Sequence, residues 1–317
     1  MTARPRRAIA ACAVVAASGA VAVVALLALT GGVSSSPPPP TVQPAVTAPF
    51  PAPPRGAVVV AREDRGSILA LAIAPRASGV LLRVSVVGPL GKGTRGLRVM
   101  LGAGSSEGSR LQAASACGGG CYQALLRRRP AAVRVLVRRP ERATAWEVRI
   151  PAHWPAPGAS ALMRRATRVW RQLRSLRYAE RLRSDPSHMI VSQWRVVAPD
   201  RVAYEVTTGE QAVIIGRSRW DRQRDGAWTR SSVLRLRQPQ PFWRRVIDAH
   251  VIGSGHVGTR AVRRVSFFDP ASSAWFEVAI DRRTARTLVV HMWATAHFMH
   301  DTYGQFNAPQ KIVPPAP

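Results

Sequence analysis

Ala159-Ser-Ala-Leu162-Met-Arg-Arg-Ala166-Thr-Arg-Val169-Trp170-Arg-Gln-Leu173-Arg-Ser-Leu176-Arg-Tyr178 is the stretch in which the chain changes period. Leu162, Ala166, Val169, Leu173 and Leu176 recur at intervals of four, three, four and three, one stripe of an α-helix, and arginines fill the remaining positions. The spacing predicts a helix from about Ala159 to Ser175. Beyond it the apolar period is two, and strands are expected at residues 178–182, 190–197, 201–207, 212–219, 227–233, 246–252, 259–268, 274–280 and 287–295. Pro199-Asp200, Thr208-Gly209, Asp225-Gly226 and Asp269-Pro270 supply turn chemistry between them. A helix followed by an antiparallel meander predicts an α+β unit over 158–317, a curved half-barrel with one long helix. Such a helix leaves an apolar cavity wherever it does not fill the concave side.

Upstream, Pro151 to Gly158 marks a boundary, and residues 57–152 hold short apolar runs broken by Gly and Pro. Val80, Leu82, Val84 and Val86 alternate with Leu81, Arg83, Ser85 and Val87, as in a half-buried strand. Several such runs predict a small all-β sandwich. Residues 31–56 form a proline-rich linker, with Pro37 to Pro40 consecutive, and should be an extended spacer. Arg4, Arg6 and Arg7 precede an uncharged apolar run from Ala8 to Thr30. That pattern predicts a transmembrane signal anchor over 1–30, the N-terminus cytoplasmic and the folded part outside the cell membrane.

The chain of 317 residues carries 46 Lys plus Arg against 17 Asp plus Glu, a formal charge of +29. Only Lys92 and Lys311 are lysines. The arginines are spread along every element, with Arg127–Arg129 the longest run, so the excess reads as a solvated surface and nucleic acid is not expected as a partner. Neither His-Glu-x-x-His nor Ser-x-x-Lys occurs, and Asp200, Asp221, Asp225, Asp269 and Asp281 fall at turns, where Asp serves backbone N–H groups. Catalysis is therefore not expected.

Arg171-Gln-Leu-Arg-Ser-Leu-Arg-Tyr-Ala-Glu-Arg-Leu182, Val197-Ala-Pro-Asp-Arg-Val-Ala-Tyr204, Ile214-Ile-Gly-Arg-Ser-Arg-Trp-Asp-Arg222 and the Tyr303-to-Pro315 tail resemble the LolA/LppX-type lipoprotein-carrier fold. The preceding sandwich, with Cys117-Gly-Gly-Gly-Cys121-Tyr122, is similar to the YtkA or CopC domains of bacterial CopC/CopD-type copper-transport proteins. The first resemblance implies a membrane-anchored binding protein that holds a lipid or other hydrophobic small molecule without catalysis and without a cofactor. The second implies copper homeostasis, with a membrane transporter as partner. A structural or assembly module of the cell envelope is the third reading.

Three groups of residues carry these readings. Trp170, Trp194, Tyr204, Trp220 and Trp293 are candidates to line an apolar pocket, and ordinary strand packing is the alternative. His297, Met299 and His300 offer imidazole and thioether ligands suited to copper, and a packed core with hydrogen-bonded histidines is the alternative. Cys117 and Cys121, joined by three glycines, are expected to form a disulfide.

Overall fold

The computed structural model describes residues 50–104, 111–185 and 187–316. Nine strands come first: β1 (Val58–Asp64), β2 (Ser67–Arg76), β3 (Gly79–Val87), β4 (Arg98–Ala103), β5 (Gln112–Ala113), β6 (Ser115–Gly118), β7 (Cys121–Leu126), β8 (Ala132–Arg139) and β9 (Arg142–Arg149). Helix α1 (Ser160–Arg171) follows. Then come β10 (Ser175–Asp185), β11 (His188–Val197), β12 (Arg201–Val206), β13 (Gln211–Ile215), β14 (Ser218–Arg222), β15 (Thr229–Ser232), β16 (Ile247–Val257), β17 (Arg260–Asp269), β18 (Ala274–Asp281), β19 (Thr287–Ala294) and β20 (His297–Gly304). They form a five-stranded sheet β1-β2-β3-β7-β6, a four-stranded sheet β5-β4-β8-β9 and an eleven-stranded sheet β15-β14-β13-β12-β11-β10-β20-β19-β18-β17-β16.

Strand β2 shows how the layers stack. Its sequence Ser-Ile-Leu-Ala-Leu-Ala-Ile-Ala is buried almost throughout. Leu69, Leu71 and Ile73 point to the four-stranded sheet and pack with Val99, Leu101, Val133, Val135 and Val137. Ile68, Ala70, Ala72 and Ala74 point the other way, to a second core with Phe268, Trp275 and Phe298 of the eleven-stranded sheet. Small alanines on that face leave room for large aromatic rings, the jigsaw a dense interior needs. The sandwich and the large sheet therefore share a core, and Ala48–Pro317 is one compact unit.

Ion pairs at the end of β1 fasten the layers. Arg142 grips the Asp64 carboxylate with two hydrogen bonds of 3.1 Å, and Arg139 and Thr144 bond to it as well. Burial alone would raise the Asp64 pKa, but the two guanidinium groups outweigh it and the carboxyl lies below its usual value. Next to it, Glu63 meets Arg183 of β10 at 3.1 Å.

Two expectations are corrected here. The fold is nearly all β, not α+β: α1 has 12 residues and ends at Arg171, short of the long helix expected to reach Ser175. Leu176, counted into the helical stripe, is already in β10. The face that α1 buries is Met163, Ala166 and Trp170. Its N-cap, Ala159, makes no side-chain cap bond, so tertiary packing and not capping holds it. The second correction concerns the expected location as a single-pass membrane protein. No helix of the described residues is long and apolar enough to cross a membrane, and the span expected over residues 8–30 lies outside them.

Strand β20 was also missed as a separate element. The last strand expected was residues 287–295, yet a hairpin at Thr295-Ala296, with Ala296 at φ +51°, turns the chain back into one more strand. No Gly, Pro, Asn or Asp marks that turn. Pairing with both β19 and β10 places β20 in the interior of the large sheet, next to the central strand β10.

Candidate functional site

Residues directly opposite one another in an antiparallel sheet share a face. In the eleven-stranded sheet, register puts Phe267, Phe276, Met292, Met299 and Leu182 in one row on the face that meets α1. Val265, Val278, Val290, Asp301, Glu180 and Ser192 form the next row, and Tyr303, Tyr178, Trp194 and Tyr204 the third. The aromatic rings touch in series. Tyr178 stacks on Trp194 at 5.4 Å, Trp194 meets Tyr204 at 4.3 Å, and Trp170 of α1 stands edge-on to Tyr303 at 4.8 Å. Trp243 then links Trp170 to Phe267 and Phe276.

Of the five aromatics expected to line a pocket, Trp170, Trp194 and Tyr204 thus belong to this series. Trp220 and Trp293 do not: Trp220 alternates to the other face under the Arg230 guanidinium, and Trp293 packs against the core shared with the sandwich.

Two carboxylates are buried within this aromatic surround. Glu180 of β10 lies directly opposite Asp301 of β20. The Glu180 Oε2 atom accepts hydrogen bonds from Ser192 at 2.9 Å and from the Trp194 indole at 3.0 Å. Asp301 is 0% exposed; Tyr303 donates its hydroxyl to Oδ2, while Oδ1 has no partner among the described residues. Burial first, and then the facing Glu180 charge, push the Asp301 pKa well above its ordinary value, and burial raises Glu180 too.

Residues 233–246 cross from β15 to β16 without regular structure, and hydrogen bonds pin this strap along its length. Val233 donates its N–H to Arg217 O, Gln238 N–H reaches Pro199 O at 2.7 Å, and Arg235 pairs with Asp200 at 2.6 Å. Phe242 packs against Tyr178. The Trp243 indole N–H bonds to Thr167 Oγ1 of α1 at 3.0 Å. Backbone N–H groups of Arg244, Arg245 and Ala271 all bond to the buried Asp269 carboxylate. Asp269, expected as a turn residue, is therefore what sets the end of the strap.

Between strap and helix lies an open cleft of about 790 Å³. Met163, Trp243 and Val246 supply its apolar lining, and Arg164, Arg168, Arg171, Arg244 and Arg245 its rim. Helical spacing explains the rim: positions 164, 168 and 171 recur at four and three residues and so stand on one side of α1. These arginines were read from the sequence as a solvated face, and no motif distinguished them.

The candidate copper ligands diverge. His297 and Met299 share the helix-facing side, whereas His300 lies on the opposite side, opposite His291 in register and stacked on it at 4.2 Å. Among the described residues no three His, Cys, Asp or Glu side chains gather as a metal site. Burial lowers the His297 pKa to about 4. Burial and the facing histidine also lower His291, while burial and Arg181 lower His300. Cys117 and Cys121 are joined as a disulfide, Cα atoms 5.0 Å apart.

One sequence signal was passed over. Residues 104–108 read Gly-Ser-Ser-Glu-Gly, the Gly-x-Ser-x-Gly spacing of a nucleophile elbow. Ser106 lies outside the described residues, and the elements on either side, β4 and β5, are antiparallel strands rather than the strand-to-helix turn that chemistry requires.

No protein-family model matches the chain, and no curated relative matches it. Among solved structures it is similar to the lipoprotein LppX of Mycobacterium tuberculosis, at 14% identity and a TM-score of 0.41 over 48% of this chain and 97% of that one. LprF from Mycobacterium bovis is similar at 10% identity and a TM-score of 0.39, over 51% of this chain and all of the other. A LolA superfamily protein from Nitrosomonas europaea is similar at 9% identity and a TM-score of 0.24, over 49% of this chain and 96% of that one. Likenesses this distant carry no function across.

Proposed function

We propose that the chain is a non-catalytic binding protein that holds a hydrophobic, lipid-like ligand in the cleft between α1 and the strap. The supporting observation is the cleft itself: about 790 Å³ in volume, with Met163, Trp243 and Val246 on its walls. That volume falls within the range of roughly 300–1,000 Å³ in which proteins enclose small ligands. Removing apolar ligand surface from water contributes about 25 cal/mol per Å², so an acyl chain needs only such walls to be retained. The reading calls for no cofactor and no bond chemistry. Holding is mechanical: α1 buries Met163, Ala166 and Trp170, and the Trp243–Thr167 bond ties it to the strap, so the two walls of the open cleft are held in place.

Native mass spectrometry of the full chain, purified without detergent, tests this. The expected spectrum carries extra mass in the hundreds of daltons that organic solvent removes. Uptake of a fluorescent fatty-acid probe gives a second readout, and Val246→Asp, which places a charge on the cleft wall, should abolish it in a folded protein. A bare chain that also ignores the probe sinks the proposal.

A further inference from the structure

We infer that the cleft recognises an acidic head group of the phosphate type, so that the ligand is an anionic amphiphile and not a neutral lipid. This rests on the binding reading above and adds to it the chemistry at the rim. Arg164, Arg168 and Arg171 approach from α1, and Arg244 and Arg245 from the strap. Among the described residues none of the five is in an ion pair, although Arg139, Arg142, Arg183, Arg219, Arg235, Arg260 and Arg264 elsewhere all have carboxylate partners. Five like charges around one cleft repel one another, and an anion seated among them relieves that repulsion. Guanidinium groups suit phosphate in particular, because their paired N–H donors meet two oxygens at once.

The rim is also built. Asp269 accepts from the backbone of both Arg244 and Arg245, which fixes where those side chains start while leaving their charges free for a ligand. Trp243, immediately before them, is locked by its bond to Thr167 and by contacts with Trp170 and Phe267. Charge at the rim and hydrocarbon on the walls match the two ends of one amphiphile. The same arginines also suit a free phosphate compound, and the test separates these sources.

Dihexanoyl phosphatidic acid, dihexanoyl phosphatidylcholine and inorganic pyrophosphate are titrated into the full chain by calorimetry. Arg168→Gln/Arg244→Gln is compared with Arg263→Gln/Arg282→Gln, an exposed pair outside the cleft that removes the same net charge. Phosphatidic acid is expected to bind about tenfold or more tighter than phosphatidylcholine, and the cleft pair to lose about tenfold where the control pair loses less than about twofold. If phosphatidylcholine binds equally well, or the control pair loses as much, the head-group inference falls while the binding reading stands. Pyrophosphate binding that depends on the cleft pair, with neither amphiphile bound, keeps the anion site and overturns the lipid-like ligand. Binding by none of the three overturns both.

Discussion

The two faces of the eleven-stranded sheet follow the same alternation and end in opposite chemistry. On the face turned to the sandwich, Phe268, Trp275, Trp293 and Phe298 meet in register and pack on the alanines of β2. On the face turned to α1, aromatic rings surround a buried pair of carboxylates, and arginines line the open mouth. The first face is closed by another sheet and is dry. The second is closed only by a short helix and an irregular strap, and it retains ionisable groups that cost free energy to bury. One side is packed shut, and the open cleft lies on the other.

The largest effect should come from the dry face. Trp275 is 2% exposed, stacks on Phe50 and touches Phe268 at a tilt, so Trp275→Ala should cost about 3–5 kcal/mol in urea unfolding, part transfer and part cavity. The comparison breaks if Val246→Asp at the cleft costs as much.

Acid should act next, through the helix-facing side. His297 has a pKa lowered to about 4, so the unfolded chain binds a proton more readily than the folded one between pH 6.5 and 4. Stability should therefore fall as pH drops through that window, by at most about 3 kcal/mol, and His297→Gln should flatten that part of the profile. A profile unchanged by the substitution removes His297 as the cause.

The smallest effect concerns the buried carboxylates, with the opposite sign. The raised Asp301 pKa stabilises the folded state below pH 3.8, and that contribution is lost as pH rises through the folded value. Asp301→Asn, which cannot ionise, should change stability by less than about 1.5 kcal/mol near pH 4 and become relatively favourable toward alkaline pH. Thermal melts at the two ends of that range measure it. Equal shifts at both ends would mean that Asp301 titrates as it does in water.

Several features were open to reading in advance because they are local. A period of two sets strands, a period near 3.6 sets a helix, and Gly, Pro and Asp mark turns. Hence most of the sandwich strands and of the meander appear where their patterns place them, though β5, β6 and β7 were not expected, and Cys117 and Cys121 are bonded as their spacing suggested. The hairpin at Thr295-Ala296 was hidden because its residues carry no turn preference; only pairing of β20 with β10 and β19 imposes it.

The sequence by itself determined strand content, the start of α1 and the excess of arginine, since each is a property of short windows of chain. Tertiary structure alone decided which arginines meet across a cleft, that Trp243 bonds to Thr167, and that Glu180 faces Asp301. These join residues up to 121 positions apart (301 − 180), and no local preference specifies them. They arise when separate apolar faces bury together, and that burial brings the polar groups riding on those elements to a common site.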